Sequence, residues 1–304
     1  MNKSAKWFLI IVGILIFLGI GTSLLFYFFL TSLTVGDDEV VVGSGDKIAV
    51  VELNGVITSS GDVVRQFKKY RENRSIKAIL FRVDSPGGGV VASQEIYEEV
   101  KKTRSKGKPV VVSMGALAAS GGYYVSCGAN KIVANPGTLT GSIGVISQFM
   151  RYDSLLGKIG VSVNTIKSGK LKDAGNPFRE MTKEDKAYFQ RLMDNVHRQF
   201  ISAVETERKM EHGSLISLAD GRVFTGEEAL SLGLVDTLGT YEDAILIAAK
   251  LAGIKGEPSL VKERKRGLTL FGRLIGESKI DELLGLKDQI LNQPILQYRM
   301  AHSF

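Results

Sequence analysis

The longest unbroken apolar stretch lies at the start of the chain. Trp7 to Leu30 contains 24 residues without a charge. At ~1.5 Å per residue a helix of that length spans about 36 Å, more than the ~30 Å hydrocarbon core of a bilayer. Lys3 and Lys6 precede it and Asp37, Asp38 and Glu39 follow. The positive-inside rule then predicts a cytoplasmic N-terminus and a body outside the cytoplasm. A cleaved signal peptide would have an apolar region of only about 7 to 15 residues. The pattern therefore predicts a retained single-pass anchor over residues 1–34 in a cell membrane, followed by a polar linker at 35–46. Beyond the linker, short apolar runs alternate with helical periodicity. Lys47–Leu53, Ile76–Val83, Val110–Ser113, Lys131–Ala134, Ile143–Ile146 and Val161–Ile166 read as strands. Val90–Lys106 reads as a helix. Met181–Glu207 reads as a long helix with Thr182 as N-cap and Asp185 completing a weak capping box, and 219–251 as helix, turn and helix. Strands alternating with helices predict a largely parallel α/β sheet whose ligands bind at the carboxyl ends of the strands. The last segment differs. Lys262, Arg264, Lys265 and Arg266 form a basic run and Leu268–Ile290 is amphipathic, so residues 256–304 are set apart as a C-terminal extension from a domain at 47–255.

Composition narrows the chemistry. The chain has 304 residues, 44% hydrophobic and 23% charged, enough to bury a core without staples. With one cysteine, Cys127, it has no internal disulfide framework, and the apolar, small-residue setting of Cys127 predicts a buried packing residue. The three histidines, His197, His212 and His302, give no metal-ligand spacing, so neither a metal nor another cofactor is expected. The net charge of +7 is modest and the basic run lacks interleaved aromatics, which gives nucleic-acid binding little support. The 34 glycines are in excess while prolines number only 6, and the glycines concentrate in motifs.

Two motifs can carry chemistry. Asp84-Ser85-Pro86-Gly87-Gly88-Gly89 ends a strand, and its glycines can turn free N–H groups toward an anion. No Gly-Lys-Ser/Thr follows, and G-x-G-x-x-G spacing is absent, so it is neither a P-loop nor a dinucleotide fingerprint. A glycine turn into a helix is the structural alternative. In Gly115 to Tyr124, Ser120 stands among small residues at the start of a helix, where a developing negative charge is supported. Ser120 is a candidate nucleophile, and tight helix packing is the alternative. A serine needs a base, and no histidine sits at a strand end in this pattern. Lys167, Lys170 and Lys172, just past the run ending at Ile166, are the remaining candidates. Half-neutralising a free lysine at pH 7 requires a downward shift of roughly 3.4 pKa units, which a water-poor site can supply.

These motifs, together with Thr140-Gly141-Ser142-Ile143-Gly144-Val145, Gly169-Lys170-Leu171-Lys172-Asp173, Asp220 to Gly226 and Leu232 to Asp236, stand in the order seen in the signal peptide peptidase A family. The similarity covers about residues 46 to 255 and resembles the short, single-repeat form. It implies a ClpP/crotonase-like fold of repeated ββα units and a homo-oligomeric dome or ring that digests cleaved signal peptides at the membrane. Carried over by position, the resemblance implies Ser120 as nucleophile and Lys172 as general base. Ser142 would orient the lysine amine. Gly88 and Gly121 would be the oxyanion donors, with Gly87 a near alternative for the first. It also allows Lys172 to reach a serine on the same or an adjoining chain. Three rivals share part of the pattern. One is a ClpP-class membrane protease paired with stomatin-like proteins, which usually carries further C-terminal membrane helices. The others are a crotonase-like acyl-CoA enzyme, which needs neither Ser120 nor Lys172, and a non-catalytic scaffold. The apolar end, Ile295 to Phe304 after Pro294, is expected to fold into the chamber as a peptide mimic.

Overall fold

The computed structural model describes residues 3–34, 39–263 and 297–299. Helix α1 (Lys3–Thr34) belongs to one compact unit and residues 41–262, with the C-terminal strand, to another. Within α1, Ile10–Tyr27 has a mean hydropathy of 2.4, and it is the one helix among the described residues long and apolar enough to cross a bilayer.

In chain order the second unit runs through β1 (Glu39–Val42), β2 (Lys47–Asn54), α2 (Gly61–Glu72), β3 (Ile76–Ser85), β4 (Gly87–Gly89), α3 (Val90–Ser105), β5 (Val110–Ala119), α4 (Gly121–Cys127), β6 (Lys131–Ala134) and β7 (Leu139–Gly141). It continues with α5 (Asp153–Lys158), α6 (Lys183–Arg208), α7 (His212–Ile216), β8 (Val223–Thr225), α8 (Gly226–Ser231), β9 (Thr237–Leu238), α9 (Tyr241–Leu251), β10 (Ser259–Glu263) and β11 (Gln297–Arg299). The central strands lie in the order β10-β2-β3-β5-β6-β9 and pair in parallel. The sheet thus takes in β10, from the region that the sequence pattern sets apart as an extension. The rest of the basic run and the amphipathic stretch to Ile290 lie outside the described residues.

Strands covered on both faces should be apolar at nearly every position, and β2 and β3 are. Ile48, Val50, Ala78, Leu80, Val111 and Val133 face α9, where Ala244, Ile245, Ala248 and Ala249 complete one core. The alternate residues, Ala49, Val51, Ile79, Phe81 and Val83, join a larger core with Phe67 of α2, Ile96 and Val100 of α3, Tyr123 of α4 and Phe200 of α6. This three-layer α/β arrangement is the expected fold class. Cys127 is buried in the larger core, and burial pushes its thiol up to about 12, so it packs rather than reacts.

The capping box at Thr182 and Asp185 forms as the sequence predicts. Two expected strands do not form. Val161–Ile166 joins no β-ladder among the described residues, and Ile143–Ile146 contributes only a bridge from Ile146 to Gln297. Both runs have strand-like composition, but a ladder also requires a free edge facing it.

Candidate active site

Ser120 is set by an irregularity in β5. Three residues of β3, Val83 to Ser85, are matched by five of β5, Met114 to Ala118. The bulge is held by side chains. The Asp84 carboxylate accepts from the Leu117 N–H at 3.1 Å, while Thr138 and Thr140 donate their hydroxyls to the carbonyls of Gly115 and Ala118, each at 2.7 Å. Asp84 crosses so close that a Cβ on Gly115 would stand 2.5 Å from its Cγ, which explains a glycine there. The bulged strand ends at Ala119, α4 begins at Gly121, and Ser120 between them has φ 54° and ψ −115°. Such a conformation costs a non-glycine residue ~1–3 kcal/mol. Here it is enforced by the Ser120 N–H on the Gly141 carbonyl at 2.7 Å and by the Tyr124 N–H on the Ser120 carbonyl at 2.8 Å. Behind α4, the Tyr123 hydroxyl donates to the Leu234 carbonyl, which ties the Leu232 to Asp236 motif to the serine's helix.

β7 lies parallel to β5 with Ala119 opposite Gly141, so Ser120 and Ser142 emerge side by side from paired strand ends. Ser142 has φ 50°, and its N–H is held by the Arg222 carbonyl at 2.8 Å. β8, from the Asp220 to Gly226 motif, pairs with the other edge of β7. Ser120 is 1% exposed, and its Oγ has no hydrogen-bond partner among the described residues. A buried hydroxyl usually finds one, so the unpartnered Oγ on a strained residue is an exception to ordinary packing.

The glycine motif closes the site. Ile57 pairs with Gly88 through the Gly87 carbonyl and the Gly89 N–H, which turns the N–H of Gly88 itself to the opposite side. That side is occupied by β11, antiparallel to β4 with Tyr298 opposite Gly88. Gly121, the first residue of α4, has no intrahelical acceptor for its N–H. The Tyr298 carbonyl oxygen enters between the two motifs. It lies 1.9 Å from where a Cβ on Gly87 would stand and 3.0 Å from the same point on Gly121. The Tyr298 ring stacks on Tyr124 at 5.1 Å, packs on Phe200 at 4.7 Å and donates its hydroxyl to the Val196 carbonyl. A segment of the expected C-terminal peptide mimic therefore lies along Gly88. The remainder of Ile295 to Phe304 lies outside the described residues. The aromatic pocket that receives Tyr298 has no sequence signal, because its walls come from α4 and α6.

Gly88 has no room for a side chain, since a Cβ would stand 2.2 Å from the Ile57 carbonyl oxygen and 2.6 Å from its nitrogen. Gly88→Ala must push β4 away from Ile57 and so displace the Gly88 N–H, the oxyanion donor that the family resemblance implies. Peptide hydrolysis is expected to fall about a hundredfold or more, the usual cost of one oxyanion donor. Steady-state kinetics of this variant check the outcome, and wild-type turnover would remove Gly88 from the site.

Within one chain no hydrogen bond joins Lys172 to Ser120. The Lys172 side chain is exposed, with no hydrogen bond or ion pair among the described residues. It nevertheless differs from its neighbours. Lys167 binds Asp173 at 2.5 Å, and Lys170 pairs with Glu184, a contact that pushes its ammonium pKa up. Of the three candidate lysines, only Lys172 has no carboxylate partner among the described residues. Neither described histidine bonds to Ser120. His197 meets the Ile143 carbonyl at 3.3 Å, His212 pairs with Glu205, and His302 lies outside the described residues. Among the described residues no group of His, Cys, Asp and Glu could hold a metal.

Two family models match the chain: peptidase family S49 over residues 102–255 and Clp protease over residues 48–138. "Putative protease slr0021" of Synechocystis sp. is 47% identical over 68% of this chain and 75% of its own length. "Putative signal peptide peptidase SppA" of Enterococcus faecium is 37% identical over 80% of this chain and 74% of its own. "Protease 4" of Salmonella typhi is 40% identical over 70% of this chain and 36% of that longer protein. The S49 match spans α4 and the lysine turn, and the Clp match spans the glycine motif and the bulged strand that delivers Ser120. With relatives this similar along most of its length, the chain belongs to peptidase family S49, the signal peptide peptidase A group of serine peptidases, on a ClpP-like α/β fold.

Proposed function

We propose that this serine peptidase is a membrane-anchored endopeptidase that uses a Ser120/Lys172 dyad to degrade cleaved signal peptides and similar apolar peptides. The observation that carries the reading is Ser120 itself: buried, strained, its Oγ unpartnered, beside Ser142 and at the start of α4. The base comes from a second copy of the chain. The segment that carries Lys172 leaves Met150, Leu155, Ile159 and Ile166 exposed, an apolar surface that association would cover. A ring of such contacts gives each Ser120 the Lys172 of its neighbour.

In that arrangement the neutral Lys172 amine, oriented by the Ser142 hydroxyl, accepts the Ser120 proton as Oγ attacks the scissile carbonyl. The carbonyl oxygen becomes an oxyanion held by the Gly88 and Gly121 N–H groups. Collapse breaks the C–N bond, and the Lys172 ammonium returns the proton to the leaving amine. Water then attacks the acyl-enzyme, giving a proton to Lys172, and the second collapse breaks the acyl C–O bond as the Lys172 ammonium returns that proton to Ser120 Oγ, releasing the acid. Substrate lies along β4 as β11 does, and helix α1 holds the site at the membrane, with the body outside the cytoplasm. Apolar peptides suit the groove because the pocket beside Gly88 is lined by Tyr124 and Phe200.

The test is a fluorogenic peptide with a signal-like apolar core, hydrolysed by the detergent-solubilised chain, together with labelling by a serine-directed fluorophosphonate. Turnover with label on Ser120 supports the reading. Label elsewhere, or none, removes it. Because β11 lies where substrate would pair, deleting residues 294–304 is expected to raise hydrolysis of an added peptide several-fold, by removing a competitor at high effective concentration. Unchanged turnover after deletion would mean that the tail does not compete.

A further inference from the structure

The lysine turn is tied down through one side chain that the dyad reading does not assign. Arg179 forks onto the Asp173 carboxylate, with Nε on Oδ2 at 2.8 Å and a terminal nitrogen on Oδ1 at 3.0 Å, and also reaches the Asp173 backbone carbonyl at 3.0 Å. Its other terminal nitrogen donates to Asp185 Oδ2 at 2.6 Å and to the Glu180 carbonyl. Asp185 is the buried N3 residue of the α6 capping box, and its Oδ2 also accepts from the Thr182 N–H. Asp173 directly follows Lys172, in a turn closed by the Lys172 N–H on Gly169 and the Ala174 N–H on Leu171. One guanidinium thus connects the capped first turn of a 26-residue helix to the residue next to Lys172. The donors from Arg179 hold the Asp173 carboxyl well below the usual carboxylate range and bring Asp185 to about 2, so both ends of the link stay ionised. Lys167, on Asp173 Oδ1, supplies the second cation. The partly exposed anion beside Lys172 is therefore balanced without drawing on Lys172.

We propose that Arg179 is a positioning residue for the general base: through Asp173 it fixes the backbone from which Lys172 projects, relative to α6. The inference rests on the Ser/Lys reading and deepens it. A base is effective only within hydrogen-bond reach of its proton, and a misplacement of about 1 Å costs on the order of a hundredfold. The planar fork matters as much as the charge, because a lysine ammonium cannot hold both carboxylate oxygens and reach Asp185 together.

The test uses the full-length protein in detergent with Arg179→Lys, Arg179→Gln and Asp173→Asn, beside Lys172→Ala. The readouts are kcat and KM for the fluorogenic peptide, the rate at which fluorophosphonate labels Ser120, and oligomer size. All three clamp variants are expected to lower kcat and the labelling rate by about ten- to a hundredfold, with KM within about twofold and the oligomer intact. Arg179→Lys should not rescue. Near-normal kcat in Arg179→Lys and Arg179→Gln overturns the proposal. So does a loss that follows only a smaller labelled fraction or a smaller oligomer, with the rate per labelled site unchanged. If Lys172→Ala itself keeps activity, the dyad reading fails. If Lys172→Ala is inactive while the Arg179 variants are normal, the dyad stands and only the clamp falls.

Discussion

Ser120→Ala is expected to reduce peptide hydrolysis on the order of 10⁶-fold, to the level left by substrate binding and backbone donors alone. The structure makes this a clean substitution. The Ser120 hydroxyl makes no hydrogen bond among the described residues, so its removal breaks no network, and the cavity left is a single oxygen. An unpaired buried hydroxyl carries a desolvation cost of ~1–3 kcal/mol, so the variant should unfold at the same temperature as wild type or higher. The strained backbone at φ 54° is held by the Gly141 carbonyl and the Tyr124 N–H, neither of which depends on the side chain. Activity lost with thermal stability kept, and fluorophosphonate labelling abolished, is the expected combination. Residual turnover near wild type would place the nucleophile elsewhere and leave the strained serine a packing feature.

Lys172→Ala is expected to lower turnover by about 10²–10⁴-fold, the range for loss of a general base. The contrast with its neighbours gives the measurement its force. Lys170→Ala removes an exposed ion pair to Glu184 and should stay within a few-fold of wild type. Lys167→Ala leaves Asp173 still forked by Arg179 and should behave similarly. Mixing then asks where the base comes from. If Lys172 serves the serine of a neighbouring copy, co-assembled Ser120→Ala and Lys172→Ala chains regain activity, because some sites combine an intact serine with an intact lysine. Random equal mixing in a closed ring gives about a quarter of the sites both groups. Recovery after co-refolding or co-expression, measured per labelled serine, establishes the shared site. No recovery from well-mixed oligomers would mean that the dyad closes within one chain.

The elements that the pattern predicts best are those whose faces are both buried. Lys47–Leu53 and Ile76–Val83 are apolar at almost every position because α9 covers one side and α2 and α3 the other. Thr182 with Asp185 marks the start of α6 because the capping box is local chemistry. The misses share a cause. Val161–Ile166 has strand composition but joins no ladder among the described residues, and Leu139–Gly141 becomes a strand on three residues because β5 and β8 present edges on both sides. Helix α2, with Val63, Phe67 and Tyr70 buried, is not among the predicted elements. β5 runs on past Ser113 to Ala119, through small residues that resemble a loop in sequence, because Asp84, Thr138 and Thr140 satisfy the bulge from outside the strand.

Residue types single out Ser120, the glycine motif, three candidate lysines and the apolar N-terminal helix, and the family resemblance adds Ser142, Gly88 and Gly121. What those residues become depends on contacts between distant parts of the chain. The register of β7 on β5 sets Ser120 beside Ser142, and β11 on β4 seats Tyr298 between Gly87 and Gly121. The partition of Asp173 and Glu184 between Lys167 and Lys170 sets Lys172 apart, which three similar lysines in a row cannot reveal. Which side chains are left without a partner is decided by long-range contacts, and these are assigned only when the chain is folded.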